Sequence, residues 1–196
     1  MSLNERYHKE IVPQLMRDLG MPNRMAVPRV LKVVVNVGMG QAQRDPKIAE
    51  TVTASLARIT GQRAVRTLAR QSIASFKIRK GMPVGAMVTL HGKHMWDFVE
   101  KLVRVTLPRV RDFRGLSPTT VDRQGNCSIG FREHVVFPEI RSDEVEQIHG
   151  LQVTIVSNAA TRERGLALFR ALGFPFHEEQ GKVKKEKKEK GAARRS

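Results

Sequence analysis

The stretch VLKVVVNVGMGQAQRDPKIAE, Val30 to Glu50, decides the fold. Val30 to Val37 is dense in β-branched residues and reads as a strand buried on at least one face. Gly38 and Gly40 follow, and Asp45-Pro46 opens a helix as N-cap and first helical residue. Strand, Gly-x-Gly and helix is the order of a dinucleotide-binding turn, which would make the protein a parallel α/β enzyme using NAD or ATP. The spacing refuses that reading. The motif's third glycine falls at Gln43, and the helix begins only after Asp45-Pro46. The acid required roughly 20 positions on, to hold a ribose, falls in a stretch without any Asp or Glu. A GxxxxGK(S/T) phosphate loop is absent too. What remains is a glycine turn at which a backbone can approach something closely.

Working outward, Leu3 to Leu19 reads as an amphipathic helix with Tyr7, Ile11 and Leu15 on one stripe, started or kinked by Pro13. After the first strand, Ile48, Val52, Leu56 and Ile59 form the stripe of the second helix, and Gly61 closes it. Arg63 to Leu68 and Ala86 to Leu90 read as short strands flanking a basic, apolar, flexible segment, Ala69 to Gly85. A helix over Met95 to Leu107 carries Trp96, Val99 and Val103, with a Glu100–Arg104 pair outside. Loop follows Pro108, then strands at Ser128 to Val136 and Leu151 to Val156. Thr161 caps a last helix with Leu168, Phe169 and Leu172, ended by Gly173-Phe174-Pro175. Helices and strands alternate irregularly. The expected fold is α+β, with helices packed against a mostly antiparallel sheet. Residues 1–176 are expected to form one domain, and 177–196 a disordered basic tail.

Charge narrows the function. In 196 residues Lys+Arg number 35 against 19 Asp+Glu, a formal +16. The tail from His177 holds eight Lys/Arg and four Glu, which leaves 27 against 15 in the body, so the basicity is not confined to the tail. From Thr51 to Trp96 there is no acid, while Arg58, Arg63, Arg66, Arg70, Lys77, Arg79, Lys80 and Lys93 all fall inside. A field of one sign calls for a polyanion, commonly a nucleic acid. The plainer alternative is a basic protein with no such partner. The lone Cys127 excludes an internal disulfide and suits a reducing cytosol. No apolar run approaches the ~18 residues of a membrane span, and the N-terminus lacks the apolar core of a signal peptide. A cytoplasmic protein with no membrane partner is expected.

Catalytic and metal chemistry find no constellation. His91 and His94 have no third ligand at a recognisable spacing, and Lys93 lies between them. Cys127 has no basic partner and reads as a small, half-buried strand residue. Ser142, Asp143 and Glu144 read as the cap and first turn of a short helix rather than a carboxylate pair with Glu139 or Glu146. No cofactor is implied. Phosphate neutralisation needs Lys/Arg in numbers, and base readout needs short polar side chains on a firm platform. Asn36, Gln62 and Thr89 lie in or beside the expected strands. Ordinary strand-end polarity explains them about equally well.

The segment SIASFKIRKGMPVGAMVTLHGKHMWDFVEKLVRVTLPRVRDFRGLSP resembles the L-five family of bacterial large-subunit ribosomal proteins. The resemblance runs from about Tyr7 to Phe176 and includes VPRVLKVVVNVGMG, TGQRAVRTLARQSI, GNCSIGFREHVVFPEI, GLQVTIVSNA and ALGFPF. It implies a two-layer α+β fold with a protruding basic loop, and binding to 5S rRNA, with further contact to 23S rRNA, in the central protuberance. It assigns a 5S-binding face to Asn36, Gln62 and Thr89, with Arg63 and Arg66 beside them. The segment matching Gln71 to Val84 would be a loop reaching the P-site tRNA, with Arg70, Ser72, Phe76, Lys77, Arg79 and Lys80 facing it. In that loop Ile73 and Phe76 would brace on its base or on RNA. A contact with a small-subunit head protein at an intersubunit bridge would fall at Arg111, Asp112, Phe113 and Arg114. Three departures stand out: Cys127 where the family has an aromatic, Arg162 and Arg164 where it is typically acidic, and a tail past Phe176. A rival outside the ribosome is a nucleic-acid chaperone that binds any RNA or DNA alike.

Overall fold

The computed structural model describes residues 1–40, 46–141 and 148–177, with backbone only at 46 and 47. The expected cap at Asp45, the short helix at Ser142 to Glu144 and the tail beyond His177 lie outside the described residues. Five strands form one sheet in the order β2-β3-β1-β5-β4. They are β1 (Val30–Gly38), β2 (Val65–Leu68), β3 (Pro83–Leu90), β4 (Cys127–Phe131) and β5 (Leu151–Ser157). Each neighbouring pair is antiparallel. That disposes of the dinucleotide turn, because β1 has no parallel neighbour to form the crevice such a ligand occupies.

Alternation sets the two faces. Val33, Val35 and Val37 of β1, Ala86, Val88 and Leu90 of β3, Ile129 and Phe131 of β4, and Val153 and Ile155 of β5 are buried. They meet the apolar stripes of four helices. Helix α1 runs through Leu3–Arg6, Tyr7–Ile11 and Val12–Asp18; α2 is Pro46–Thr60. Helix α3 runs through Gly92–Lys101, Leu102–Thr106 and Leu107–Arg109; α4 is Arg162–Ala171. Helix α2 packs on β3 and α3 on β1, while α1 lies against α3 and α4. Leu56, Ile59, Leu102, Leu168 and Phe169 are shut off from solvent. No helix among the described residues is long and apolar enough to cross a membrane.

Pro13 does start a helical segment, lying in the first turn of Val12–Asp18, and the last helical residue near Pro108 is Arg109. Neither Pro13 nor Pro108 breaks its helix. In both rods a five-residue π-turn precedes the proline, with Val12 N–H donating to Tyr7 O and Leu107 N–H to Leu102 O. The wider turn absorbs the bond a proline cannot make. Helix α3 also starts earlier than Met95, at Gly92, and runs one residue past Pro108. The Glu100–Arg104 pair forms at 2.7 Å.

Two strands differ from the reading. The strand placed at Ser128 to Val136 ends at Phe131, because Phe131 already faces Leu151, the first residue of β5. Beyond it His134–Val136 forms a single 3-10 turn. The strand placed at Arg63 to Leu68 starts at Val65. The excursion that leaves the sheet after Phe131 is closed by two histidines. His134 N–H donates to His149 O at 3.1 Å, and His149 N–H to His134 Nδ1 at 3.3 Å. The rings stack with centroids 3.9 Å apart and 4° between planes. Cys127 is fully buried rather than half-buried, and that burial pushes its thiol up to about 11, which makes it inert.

Candidate nucleic-acid interface

With the four described helices on one face, no described helix covers the other face of the sheet. The register defines rows across it. Val65, Met87, Asn36, Gln152 and Gly130 form one row that spans all five strands. The adjacent row holds Thr89, Val34, Thr154 and Ser128, and on the opposite flank Thr67, Gly85 and Gly38 stand side by side. Apart from Met87 and Gln152 these side chains are short, and none carries a charge. At Gly85 the backbone packs so closely that a Cβ would lie 2.7 Å from Thr67 Oγ1 and 2.9 Å from Val37 O. Gly38 and Gly40 have no such neighbour in the described residues. The result is a firm platform lined by hydroxyls and amides.

Three of the five residues assigned to this face come together on it. Gln62 Nε2 donates to Thr89 O at 3.2 Å, so the turn after α2 is tied to β3. Thr89 faces Val34, and Asn36 lies one row away on the same side of β1. Arg63 follows Gln62 and is exposed. Arg66 does not join them. It pairs with Ala86, on the helix side of the sheet, and its Nη2 comes within 4.0 Å of Glu50 Oε1. Lys32 opposes Val156 and is exposed at the end of the face. Gln152, Thr154 and Ser128 went unnoticed in the sequence, although the alternation of Leu151, Val153 and Ile155 marks the first two as outward. Ser128 Oγ and Thr154 Oγ1 lie 3.2 Å apart, a cross-strand hydroxyl pair.

The segment Ala69 to Gly85 is an extension of the β2–β3 hairpin held by its own backbone. Ala69 N–H donates to Met82 O and Gly81 N–H to Ala69 O, at 2.8 and 2.9 Å. Nearer the tip Ile73 and Ile78 exchange both bonds, at 2.9 and 3.1 Å. Ser72 is occupied internally, since its Oγ accepts from Lys80 N–H at 3.0 Å. Ala74–Phe76 makes a 3-10 turn, and Lys77 reverses the chain at φ 55°. Arg70, Lys77, Arg79 and Lys80 are exposed or half-exposed around it. Phe76 stands 66% exposed and Ile73 43%, so neither braces the loop on its own base.

The remaining candidates lie apart. In the turn Arg111 to Arg114, Asp112 has φ 52° and Phe113 packs partly on the core, leaving Arg111, Asp112 and Arg114 exposed. His91 and His94 are exposed at the start of α3, and no group of three His, Cys, Asp or Glu that could hold a metal occurs among the described residues. Glu139 is held by Lys101, whose Nζ lies 2.5 Å from its Oε1 and 2.6 Å from Ile59 O.

Family models match the whole sheet and helices α2 to α4, though not α1. One, described as ribosomal protein L5, covers residues 23–79, and the other, describing the C-terminus of the same ribosomal family, covers 83–176. The chain belongs to the ribosomal protein L5 family. Similar proteins named large ribosomal subunit protein uL5 include that of Halothermothrix orenii, 54% identical over 176 residues, which are 90% of this chain and 98% of that protein. Those of Anaeromyxobacter sp. and Prochlorococcus marinus are 50% and 49% identical over the same shares. The L5 family is one of ribosomal structural proteins and not of enzymes. Its two matched parts meet between residues 79 and 83, at the returning arm of the basic hairpin, so the open face is assembled from both: β1 and β2 from the first, β3, β4 and β5 from the second.

Proposed function

We propose that the chain is a structural constituent of the large ribosomal subunit in the cytoplasm, and that residues 1–176 act as one RNA-binding unit. The open sheet face holds 5S rRNA in the central protuberance, with Asn36, Gln62 and Thr89 reading an exposed loop and Arg63 neutralising phosphate at its edge, while Arg66, turned to the helix side, adds only to the general positive field. The outer basic surface meets 23S rRNA. The hairpin, with Arg70, Ser72, Phe76, Lys77, Arg79 and Lys80, reaches the P-site tRNA, and the turn Arg111, Asp112, Phe113 and Arg114 faces a small-subunit head protein. One observation carries this reading: an uncharged face across five strands that mixes amides and hydroxyls with apolar side chains, uncovered by the described helices, in a chain of formal charge +16. A folded RNA loop fits such a surface, because its unstacked bases offer hydrogen-bonding edges and its phosphates meet cations at the rim.

The test is binding of the purified protein to 5S rRNA with excess tRNA as competitor at about 150 mM salt. Binding that survives supports a specific ribosomal partner. Binding that the tRNA abolishes reduces the interaction to generic electrostatics and favours the nucleic-acid chaperone.

A further inference from the structure

β4 is an outer strand, and the direction of its free backbone groups can be followed across the sheet. Met39 N–H donates to Val84 O at 2.9 Å, which turns the odd-numbered backbone groups of β1 toward β3 and the even-numbered ones toward β5. By the same alternation, even groups of β5 meet β1 and odd groups meet β4. Cys127, Ile129 and Phe131 answer them through their register with Ile155, Val153 and Leu151. The N–H and C=O of Ser128 and Gly130 therefore face away from the sheet. At the start of the strand that side is already taken, since Val121 bridges Cys127 antiparallel, and Gly130 is left as the open part of the edge. Asp122 N–H, which reaches Asn126 O at 2.9 Å on that outer side, agrees.

A groove of about 820 Å³ opens where Gly130 faces outward. Val110, Phe113, Val135, Val136 and Ile148 give it apolar walls. A Cβ on Gly130 would meet nothing within 4 Å. Arg109, Arg111 and Arg132 line the same groove, all exposed and without an ion pair among the described residues, and they outnumber Asp112 and Glu133.

We propose that this groove takes an extended segment of a partner protein bearing carboxylates, which adds to the Gly130 edge of β4 as a sixth strand. The inference rests on the reading of the Arg111–Arg114 turn as a surface that meets protein. An open strand edge supplies main-chain affinity, flanking pockets take alternate side chains, and the arginines select acids on the others. RNA could satisfy the arginines, but it has no use for the apolar walls and no backbone that continues a β-ladder.

The test uses the full-length chain, with the Gly130 amide followed by NMR. The probe is an acetylated Val-Glu-Val-Glu-Val-Glu peptide, compared with a copy N-methylated at alternate backbone positions and with a Val-Lys-Val-Lys-Val-Lys peptide. The acidic peptide is expected to shift Gly130. N-methylation should weaken it at least about tenfold, since each lost ladder bond counts. The basic peptide should bind worse still. Equal binding of the N-methylated copy, no shift at Gly130, or a shift there caused by a short RNA duplex and not by the peptide would overturn the proposal. Association of ribosomal subunits reconstituted with Arg111→Ala and Arg114→Ala tests the turn separately. Weakened association with no peptide at Gly130 removes the groove and keeps the turn. Peptide at Gly130 with unchanged association removes the bridge and keeps the groove.

Discussion

Gly165 sits against Gly125, and a Cβ there would lie 2.6 Å from Gly125 Cα and 2.7 Å from Gly125 O. In an isolated helix Gly→Ala is favourable by about 1 kcal/mol. Here the contact is backbone on backbone, and no side chain can rotate away. Gly165→Ala is therefore expected to destabilise by about 1–3 kcal/mol, seen as a lower melting temperature. An unchanged or raised one would mean that the 122–126 turn yields freely. The same residue scale separates the roles on the open face. Asn36→Ala should weaken 5S rRNA binding and leave its salt dependence unchanged, while Arg63→Ala should lower the slope of log K against log salt by about 1. Equal slopes for both would end that division of labour. Arg66, turned toward Glu50, should affect the slope less than Arg63.

At the scale of elements, the excursion between β4 and β5 is fastened at its neck by His134 and His149. Burial, and then the neighbouring His134, lower the His149 pKa from 6.5 to about 4, and burial lowers His134 as well. A neutral pair suits the geometry, because His134 Nδ1 accepts a hydrogen bond from His149 N–H. The unfolded chain takes up protons below 6.5 and the folded chain does not until about 4. Stability must then fall as pH drops through that window, by at most about 3 kcal/mol. His149→Phe keeps a flat ring and removes the proton, so denaturant unfolding at pH 7 and pH 5 should differ less in this variant than in the parent. A second fastening, Lys101 with Glu139, joins α3 to the excursion and α2. Lys101→Met leaves a half-buried carboxylate unpaired and should cost more stability than Lys101→Met combined with Glu139→Gln. Both elements were opaque in the sequence. Partners 15 and 38 residues apart leave no periodic trace, whereas the helical stripe Ile48, Val52, Leu56, Ile59 is legible because its partners lie within a turn of each other.

For the molecule as a whole, the α+β class was legible because VVVNV and the helical stripes each state a period, whereas the protruding loop came from the resemblance to the L-five family. The sequence did not yield which face of the sheet stays open. Val34 is chemically the same as the buried Val33 and Val35, so only the register with Thr89 and Thr154 shows that it points outward. The π-turns before Pro13 and Pro108 were hidden for a similar reason, as they depend on which carbonyl a neighbouring amide finds. From Ala69 to Met82 the hairpin makes its described backbone bonds within itself. Replacing Gln71 to Arg79 with an Asn-Gly turn should shift stability by no more than about 0.5 kcal/mol and leave 5S rRNA binding intact. A large drop in melting temperature would show that the hairpin is part of the core.

If the open face binds RNA as proposed, its neutral centre, with Lys32 and Arg63 at the margin, would divide recognition in time. Long-range attraction from the margin would govern how often an RNA arrives, whereas the hydroxyls and amides at the centre would govern how long it stays. Raising ionic strength should therefore slow capture far more than it shortens residence, and a bound protuberance RNA should outlast changes in the medium that prevent a new one from forming.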